Sequence, residues 1–213
     1  GAGYSSGIVS ISGCFGSVPH EFAHNIIMMN RATMRCLEEH DQKLDMGIVI
    51  GFSYNDIEEL FADKFSPDEL VIGSGNSKFH VMVSGKASTV EKALLLCQNE
   101  GAIKAFSFGT GVAYHHPIVK QYSQEYVDFC ASIEYSAPAY PILSIFDREV
   151  MTTGQQVMRE NQLNVYTPIR WDLAVQKLEE LGVTEFFDVS ANGAVSKFSR
   201  VSRKCKIYTL EDV

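Results

Sequence analysis

The chain has 213 residues, 46% of them apolar and 21% charged, which fits one globular domain or a domain carrying a small insert. Disorder and collagen-like structure are excluded, and apolar runs such as Met46 to Phe52 and Ala93 to Cys97 fall far short of the ~20 residues a membrane span needs. The net charge is −8 and the basic residues are scattered, apart from Arg200, Arg203, Lys204 and Lys206, so no nucleic-acid partner is expected.

Gly1-Ala2-Gly3 carries no initiator methionine and reads as an expression scar or a cut end; no basic segment followed by an apolar stretch announces a secretory leader. Residues 7 to 15, GIVSISGCF, read as a short β-branched strand entering a glycine-rich corner. From about Pro19 the apolar positions Phe22, Ile26, Met29, Thr33 and Leu37 take helical spacing. Strand, turn and helix in that order can present a nucleophile at a sharp elbow, beside the partial positive charge of a helix start.

The next stretch reads as a unit. Met46 to Phe52 is a strand, and Asn55 to Asp63 a helix with Ser53 or Asn55 as N-cap. Leu70 to Gly73 and Phe79 to Ser84 are strands joined by a turn at Ser74-Gly75-Asn76. Ser88 to Glu100 is a helix closed by Gly101, and Ala102 to Phe108 a last strand. The order β-α-β-β-α-β is the ferredoxin-like arrangement. The expected fold class is therefore α/β, with a small subdomain at 45–108 inserted in a larger body made of 1–44 and 109–213. In that body we expect a helix over Ile118 to Ile133, a strand over Tyr140 to Phe146 and a helix around Gln155 to Asn161. An amphipathic helix through Leu173, Val175, Leu178 and Leu181, ended by Gly182, then leads to a strand over Glu185 to Val189.

Several segments, taken in order, resemble the acyl-CoA:acyl carrier protein transacylases, the malonyltransferase-type acyltransferase domains of fatty acid and polyketide synthesis. Asn76-Ser77 through Val81-Met82-Val83-Ser84-Gly85 is similar to the family's N-S-P-x-x-x-V-I-S-G stretch. Ala113-Tyr114-His115-His116-Pro117 resembles its A-F-H-S-P segment, and Ala137-Pro138 through Pro141-Ile142-Leu143-Ser144 the segment packed behind that histidine. Tyr166-Thr167-Pro168-Ile169-Arg170-Trp171 and the stretch Phe186-Phe187-Asp188-Val189 resemble the C-terminal part. The resemblance implies a partial α/β-hydrolase-like acyltransferase body around the ferredoxin-like insert. The family's G-Q-G-S-Q oxyanion segment has no counterpart, so the chain reads as a degenerate or amino-terminally truncated member.

Around the glycine-rich corner the family's G-x-S-x-G motif is not intact. Ser12-Gly13-Cys14-Phe15-Gly16 puts Cys14 in the nucleophile slot, as in G-x-C-x-G starter-unit transacylases. A competing register lays Gly16-Ser17-Val18-Pro19-His20-Glu21-Phe22-Ala23 on G-H-S-L-G-E-Y-A and leaves Val18 there, which can do no acyl chemistry. With Cys14, a thiolate attacks an acyl-CoA thioester, His115 acts as base, and the Phe15 amide supplies an oxyanion donor. Arg31 aligns with the arginine that pairs with a malonyl carboxylate, although only 17 positions separate it from Cys14, which implies a deletion. A surface pair with Glu38 or Glu39 is its alternative role. Asn76, Tyr114 and His116 complete the expected substrate-binding set.

Five cysteines without a CxxC pair indicate neither a disulfide framework nor a zinc knuckle and fit a reducing cytosol. His20-Glu21-Phe22-Ala23-His24 spells the H-E-x-x-H of zinc hydrolases but lacks a third ligand, so no metal is expected. No cofactor is expected either, with acyl-CoA as substrate and an acyl carrier protein as partner, alongside other synthase domains or a chain that completes the site. The alternatives are a catalytically inactive docking or structural domain of a synthase and a thioester hydrolase.

Overall fold

The computed structural model describes residues 1–18 and 22–212. The first element is a helix, α1 (Ser6–Cys14), where a strand was expected. Its β-branched residues favour extended backbone only weakly, and packing overrides them: Ile8, Val9 and Ser12 fall on one buried helical face. Helix α2 (Phe22–Glu39) follows and buries Ala32, Thr33 and Cys36.

Next come β1 (Leu44–Ile50), α3 (Tyr54–Phe61), β2 (Leu70–Ser77), β3 (His80–Lys86), α4 (Ala87–Asn99) and β4 (Lys104–Ser107). The strands lie in the order β4-β1-β3-β2, and each adjacent pair is antiparallel. The N-cap of α3 is Ser53, whose hydroxyl accepts the Asp56 amide while the Asp56 carboxylate accepts the Ser53 amide. Ser74, Gly75 and Asn76 lie inside β2 with two register shifts, so the reversal falls at Lys78 and Phe79. Gly75 lets the neighbouring chain come close, since a Cβ there would sit 3.0 Å from the Asp172 carboxylate and 3.1 Å from Tyr54.

The expected helix from Ile118 breaks into a 3-10 turn, Pro117–Tyr122, and α5 (Gln124–Ser132). The strand expected over Tyr140 to Phe146 shrinks to β5 (Ile142–Leu143), paired with β6 (Val150–Met151). Then follow α6 (Gly154–Leu163), β7 (Ile169–Arg170) and α7 (Trp171–Glu180). Strand β7 pairs parallel with β2 and extends the sheet to five strands. Strand β8 (Glu185–Asp188) pairs with β9 (Lys206–Thr209), a strand absent from the sequence reading. Among the described residues, no helix is long and apolar enough to cross a membrane.

One core fills the sheet and its helices, with Val49, Ile57, Val81, Val83 and Val90 at 0% exposure. A second joins α2 to α5 around Cys36, Val119, Tyr126 and Cys130. A third packs Ile8 of α1 against Leu143, Ile145, Ile169 and Trp171. Truncating Ile57 to alanine removes buried surface and leaves a void, a change expected to cost about 2–5 kcal/mol in chemical denaturation. Val189→Ala, at a residue 75% exposed, should stay within about 0.5 kcal/mol. Equal losses would contradict this placement of the core.

Candidate active site

Residues 1–4 run beside the 141–143 segment, where the Leu143 amide donates to the Gly1 carbonyl at 2.8 Å. The chain then turns abruptly into α1 at Ser5, which has φ 51° and ψ −119°. A non-glycine residue in the positive-φ region costs on the order of 1–3 kcal/mol and persists only where surrounding contacts fix it. Here they do. The Ser5 carbonyl accepts the Ile8 amide at 2.9 Å and the Asn164 side-chain amide at 3.0 Å.

Tyr4, immediately before it, donates its hydroxyl to Asn76 Oδ1 at 2.8 Å. The Tyr4 ring also packs on Trp171 and Phe198, with centroids 5.6 and 5.0 Å away. Gly3 admits no side chain, because a Cβ there would lie 2.4 Å from the Gly7 carbonyl. Gly3-Tyr4-Ser5-Ser6-Gly7 is an intact G-x-S-x-G. It stands at the start of the chain, ahead of the glycine-rich corner Ser12-Gly13-Cys14-Phe15-Gly16.

The partner of Ser5 is His115, whose Nε2 lies 3.0 Å from Ser5 Oγ. His115 Nδ1 lies 3.2 Å from the Thr167 carbonyl. A carbonyl only accepts, so Nδ1 carries the proton and Nε2 offers its lone pair to the Ser5 hydroxyl. His115 also has positive φ, 58°, and its amide donates to the Val165 carbonyl at 2.9 Å. The imidazole is 2% exposed, and burial pushes its pKa down to about 4, against the opposing pull of the Thr167 and Asn164 carbonyls. The side chain is a neutral base at neutral pH.

Cys14 does not occupy this place. It ends α1 and is exposed, because the segment expected to be a strand is the helix itself. The Phe15 amide donates to the Ile11 carbonyl at 2.9 Å and closes a helix C-terminus, so it is not an oxyanion donor at a helix start. His116 is 1% exposed, and its Nδ1 accepts the Ile118 amide at 3.0 Å, capping the 3-10 turn. Asn76 is 3% exposed and commits Oδ1 to Tyr4 and to Ser74, so its observed role is to hold the elbow.

Tyr114 is half-buried on Met46, Ile48 and Met82, and its carbonyl accepts Ser84 Oγ at 2.6 Å. Arg31 pairs with Glu125 at 2.8 Å, not with Glu38 or Glu39, and Arg35 shares that carboxylate at 3.2 Å. Counted from Ser5 the gap to Arg31 is 26 positions. Val18 is fully buried, at 0% exposure, whereas His20 and Glu21 of H-E-x-x-H and Pro19 of the competing register lie outside the described residues. No cluster of three metal-ligating side chains occurs among the described residues.

The sequence reading missed the supports contributed by α6. Asn161 donates to Ser12 Oγ at 3.3 Å and to the Val157 carbonyl, and Asn164 holds the Ser5 carbonyl. Glu160, 4% exposed, accepts Ser144 Oγ and the Ile145 amide, both at 2.6 Å, and burial raises its pKa to about 7.

The glycines of the elbow give opposite expectations. Gly3→Ala collides with fixed backbone and should cost several kcal/mol or abolish folding. Gly7→Ala meets nothing within 4 Å and should stabilise α1 by about 0.5–1 kcal/mol. Thermal melts of both variants check this, and a harmless Gly3→Ala would refute the elbow geometry.

No family model matches the chain. The malonyl-CoA–acyl carrier protein transacylase of Haemophilus influenzae is 26% identical over 114 residues, which is 54% of this chain and 36% of that enzyme. The chain thus aligns with little more than a third of that curated relative's length. A solved transacylase of the same name from Coxiella burnetii superposes with TM-score 0.90 at 20% identity, covering 98% of this chain and 66% of that one. A malonyl-transacylase solved with its type II polyketide acyl carrier protein gives TM-score 0.85 at 19% identity, covering 100% of this chain and 69% of that one. In fold, and over just more than half of its sequence, this chain is similar to the malonyl-CoA–acyl carrier protein transacylases.

Proposed function

We propose that this chain carries the acyl-transfer centre of a malonyl-type transacylase, moving an acyl group from coenzyme A to an acyl carrier protein in fatty acid or polyketide synthesis. The observation that carries the reading is the 3.0 Å contact between Ser5, on its strained turn, and a buried neutral His115. Ser5 Oγ attacks the thioester carbonyl carbon as its proton passes to His115 Nε2. The Ser6 amide, first in α1 and therefore without a carbonyl partner inside the helix, supports the developing oxyanion. Collapse breaks the carbon–sulfur bond and expels the coenzyme A thiolate, which takes the proton from His115. The phosphopantetheine thiol then attacks the Ser5 ester, His115 removes its proton, and Ser5 is released with its hydroxyl restored.

In this reading 45–108 is a ferredoxin-like insert, and 1–44 with 109–213 form a body related to the α/β-hydrolases. Tyr114 flanks the acyl group. Arg31 would exchange Glu125 for a malonyl carboxylate, an exchange tested by the preference for malonyl-CoA over acetyl-CoA in Arg31→Ala. The chemistry needs no cofactor.

Intact mass after incubation with malonyl-CoA and acetyl-CoA tests the assignment. Wild type and Cys14→Ala should gain one acyl group, while Ser5→Ala should gain none. An adduct that survives Ser5→Ala and disappears in Cys14→Ala would overturn it. A folded wild type that never acylates would favour a non-catalytic docking domain.

The pH dependence follows from His115. Its depressed pKa keeps it unprotonated below the ordinary 6.5, so the acylation rate should hold through pH 6.5 and fall only toward about pH 4. A rate that halves near pH 6.5 would contradict a buried base.

A further inference from the structure

The chain leaves β4 at Ser107 and reaches His115 through a segment outside every helix and strand. Thr110 stands there between Gly109 and Gly111, at φ 65° and 74°, so this stretch has little stiffness of its own. Residues 108–110 are exposed, whereas Val112, Ala113 and His115 are buried.

Asp45, the second residue of β1, supplies the missing constraint. Its Oδ1 accepts the Thr110 amide at 2.9 Å, and its Oδ2 accepts the Ser107 hydroxyl. The Thr110 hydroxyl lies 3.2 Å from Oδ1 and 2.8 Å from the Val112 carbonyl, so its one proton is shared between them. Ser107 Oγ in turn accepts the Gly109 amide at 3.1 Å, and the Phe108 amide donates to the Met46 carbonyl at 2.8 Å. Leu44 bridges to Gly111. Beyond that point Ser84 Oγ holds the Tyr114 carbonyl, and residues 165 and 167 hold His115 itself.

Asp45 is 6% exposed, and no lysine or arginine pairs with it among the described residues. Aspartate suits a strand poorly, and a buried carboxylate without a cation is costly unless hydrogen-bond donors meet it. Apart from the adjacent Met46 amide, those donors all belong to Ser107 and Thr110. Burial alone would raise the carboxyl pKa, but these hydrogen bonds outweigh it and hold the group below the usual carboxylate range. The carboxylate serves the 107–110 segment, not the strand that carries it.

We propose that Asp45 is a positioning residue for His115, latching to β1 the flexible segment that delivers the base opposite Ser5. The proposal rests on the acyl-transfer reading of Ser5 and His115. Ser107 and Thr110 are exposed, so without the carboxylate their donors turn to water, and position is lost more than stability.

The test compares wild type with Asp45→Ala, Asp45→Asn and Ser53→Ala, which removes the N-cap of α3 and leaves the segment untouched. Two quantities are read, the acylation of Ser5 by malonyl-CoA and the nitrogen-15 titration of His115. In Asp45→Ala, kcat for acylation should fall about ten- to hundred-fold with KM nearly unchanged. The His115 titration should move up from about 4 toward 6.5 as the ring gains water. Asp45→Asn keeps an oxygen for the Thr110 amide and should lie nearer wild type. Ser53→Ala should melt at a lower temperature and change neither readout. An Asp45→Ala that melts lower but keeps both kcat and the titration of wild type would overturn the proposal. If Asp45→Ala does not fold, the Ser107→Ala/Thr110→Val double variant decides on the same readouts, with a smaller shift in the same direction expected and no shift overturning the proposal. If the wild type never acylates, the acyl-transfer reading fails, and the His115 titration still decides the latch.

Discussion

The contact between Ser5 Oγ and His115 Nε2 joins positions 110 residues apart, and much of the fold can be understood as what keeps those two atoms 3.0 Å from each other. Neither residue sits in a relaxed conformation, since both have positive φ. Each is therefore held from several sides. The Ser5 carbonyl is fixed by Asn164, and Tyr4 is anchored to β2 through Asn76 and to α7 through Trp171. His115 is fixed by the Val165 and Thr167 carbonyls. Residues 164 to 167 thus support both partners, and β7, which follows at once, ties that segment into the five-stranded sheet. Small displacements of this segment would move the His115 and Ser5 side chains together.

Burial gives the site its electrostatic character, and it does so with opposite signs at two groups. His115 is kept neutral by desolvation, so its contribution to stability is present above pH 6.5 and is lost as pH falls toward about 4. Glu160 is shifted the other way. Its folded pKa of about 7 exceeds the unfolded 4.5, so its contribution is present below pH 4.5 and is lost as pH rises toward 7. The two windows overlap and partly offset each other, which broadens the stability profile across mildly acidic pH. Glu160 tolerates burial because the Ser144 hydroxyl and Ile145 amide satisfy both carboxyl oxygens. Tyr126 is also wholly buried, and its hydroxyl is satisfied by the Asn161 carbonyl at 2.9 Å.

The sequence carried the β-α-β-β-α-β order almost unaltered, because alternating Val and Ile runs and the Ser53 and Gly101 caps are local signals. It misled where tertiary contacts outweigh local preference. Ile8, Val9 and Ile11 look extended, yet the turn at Ser5 and the packing of α1 on Trp171 and Ile145 make them helical. That single misreading displaced the elbow from Ser5 to Cys14 and turned Phe15, a helix C-cap, into an expected oxyanion donor. The intact glycine–serine motif was present in the letters, but it begins only three residues into the chain, where no strand pattern precedes it to give it a context. The supports from α6 and its C-cap left no motif, since the hydrogen bonds of Asn164 and Glu160 join residues that only the folded chain brings together.

The central claim is that His115 is a buried neutral base with its proton on Nδ1, facing Ser5. Nitrogen-15 NMR of the histidine side chains across a pH titration tests it directly, with His115→Gln identifying the resonance. The account predicts an Nδ1-protonated neutral ring at pH 7 that begins to protonate only toward about pH 4. A ring that titrates near 6.5, or whose proton resides on Nε2 at neutral pH, would contradict it.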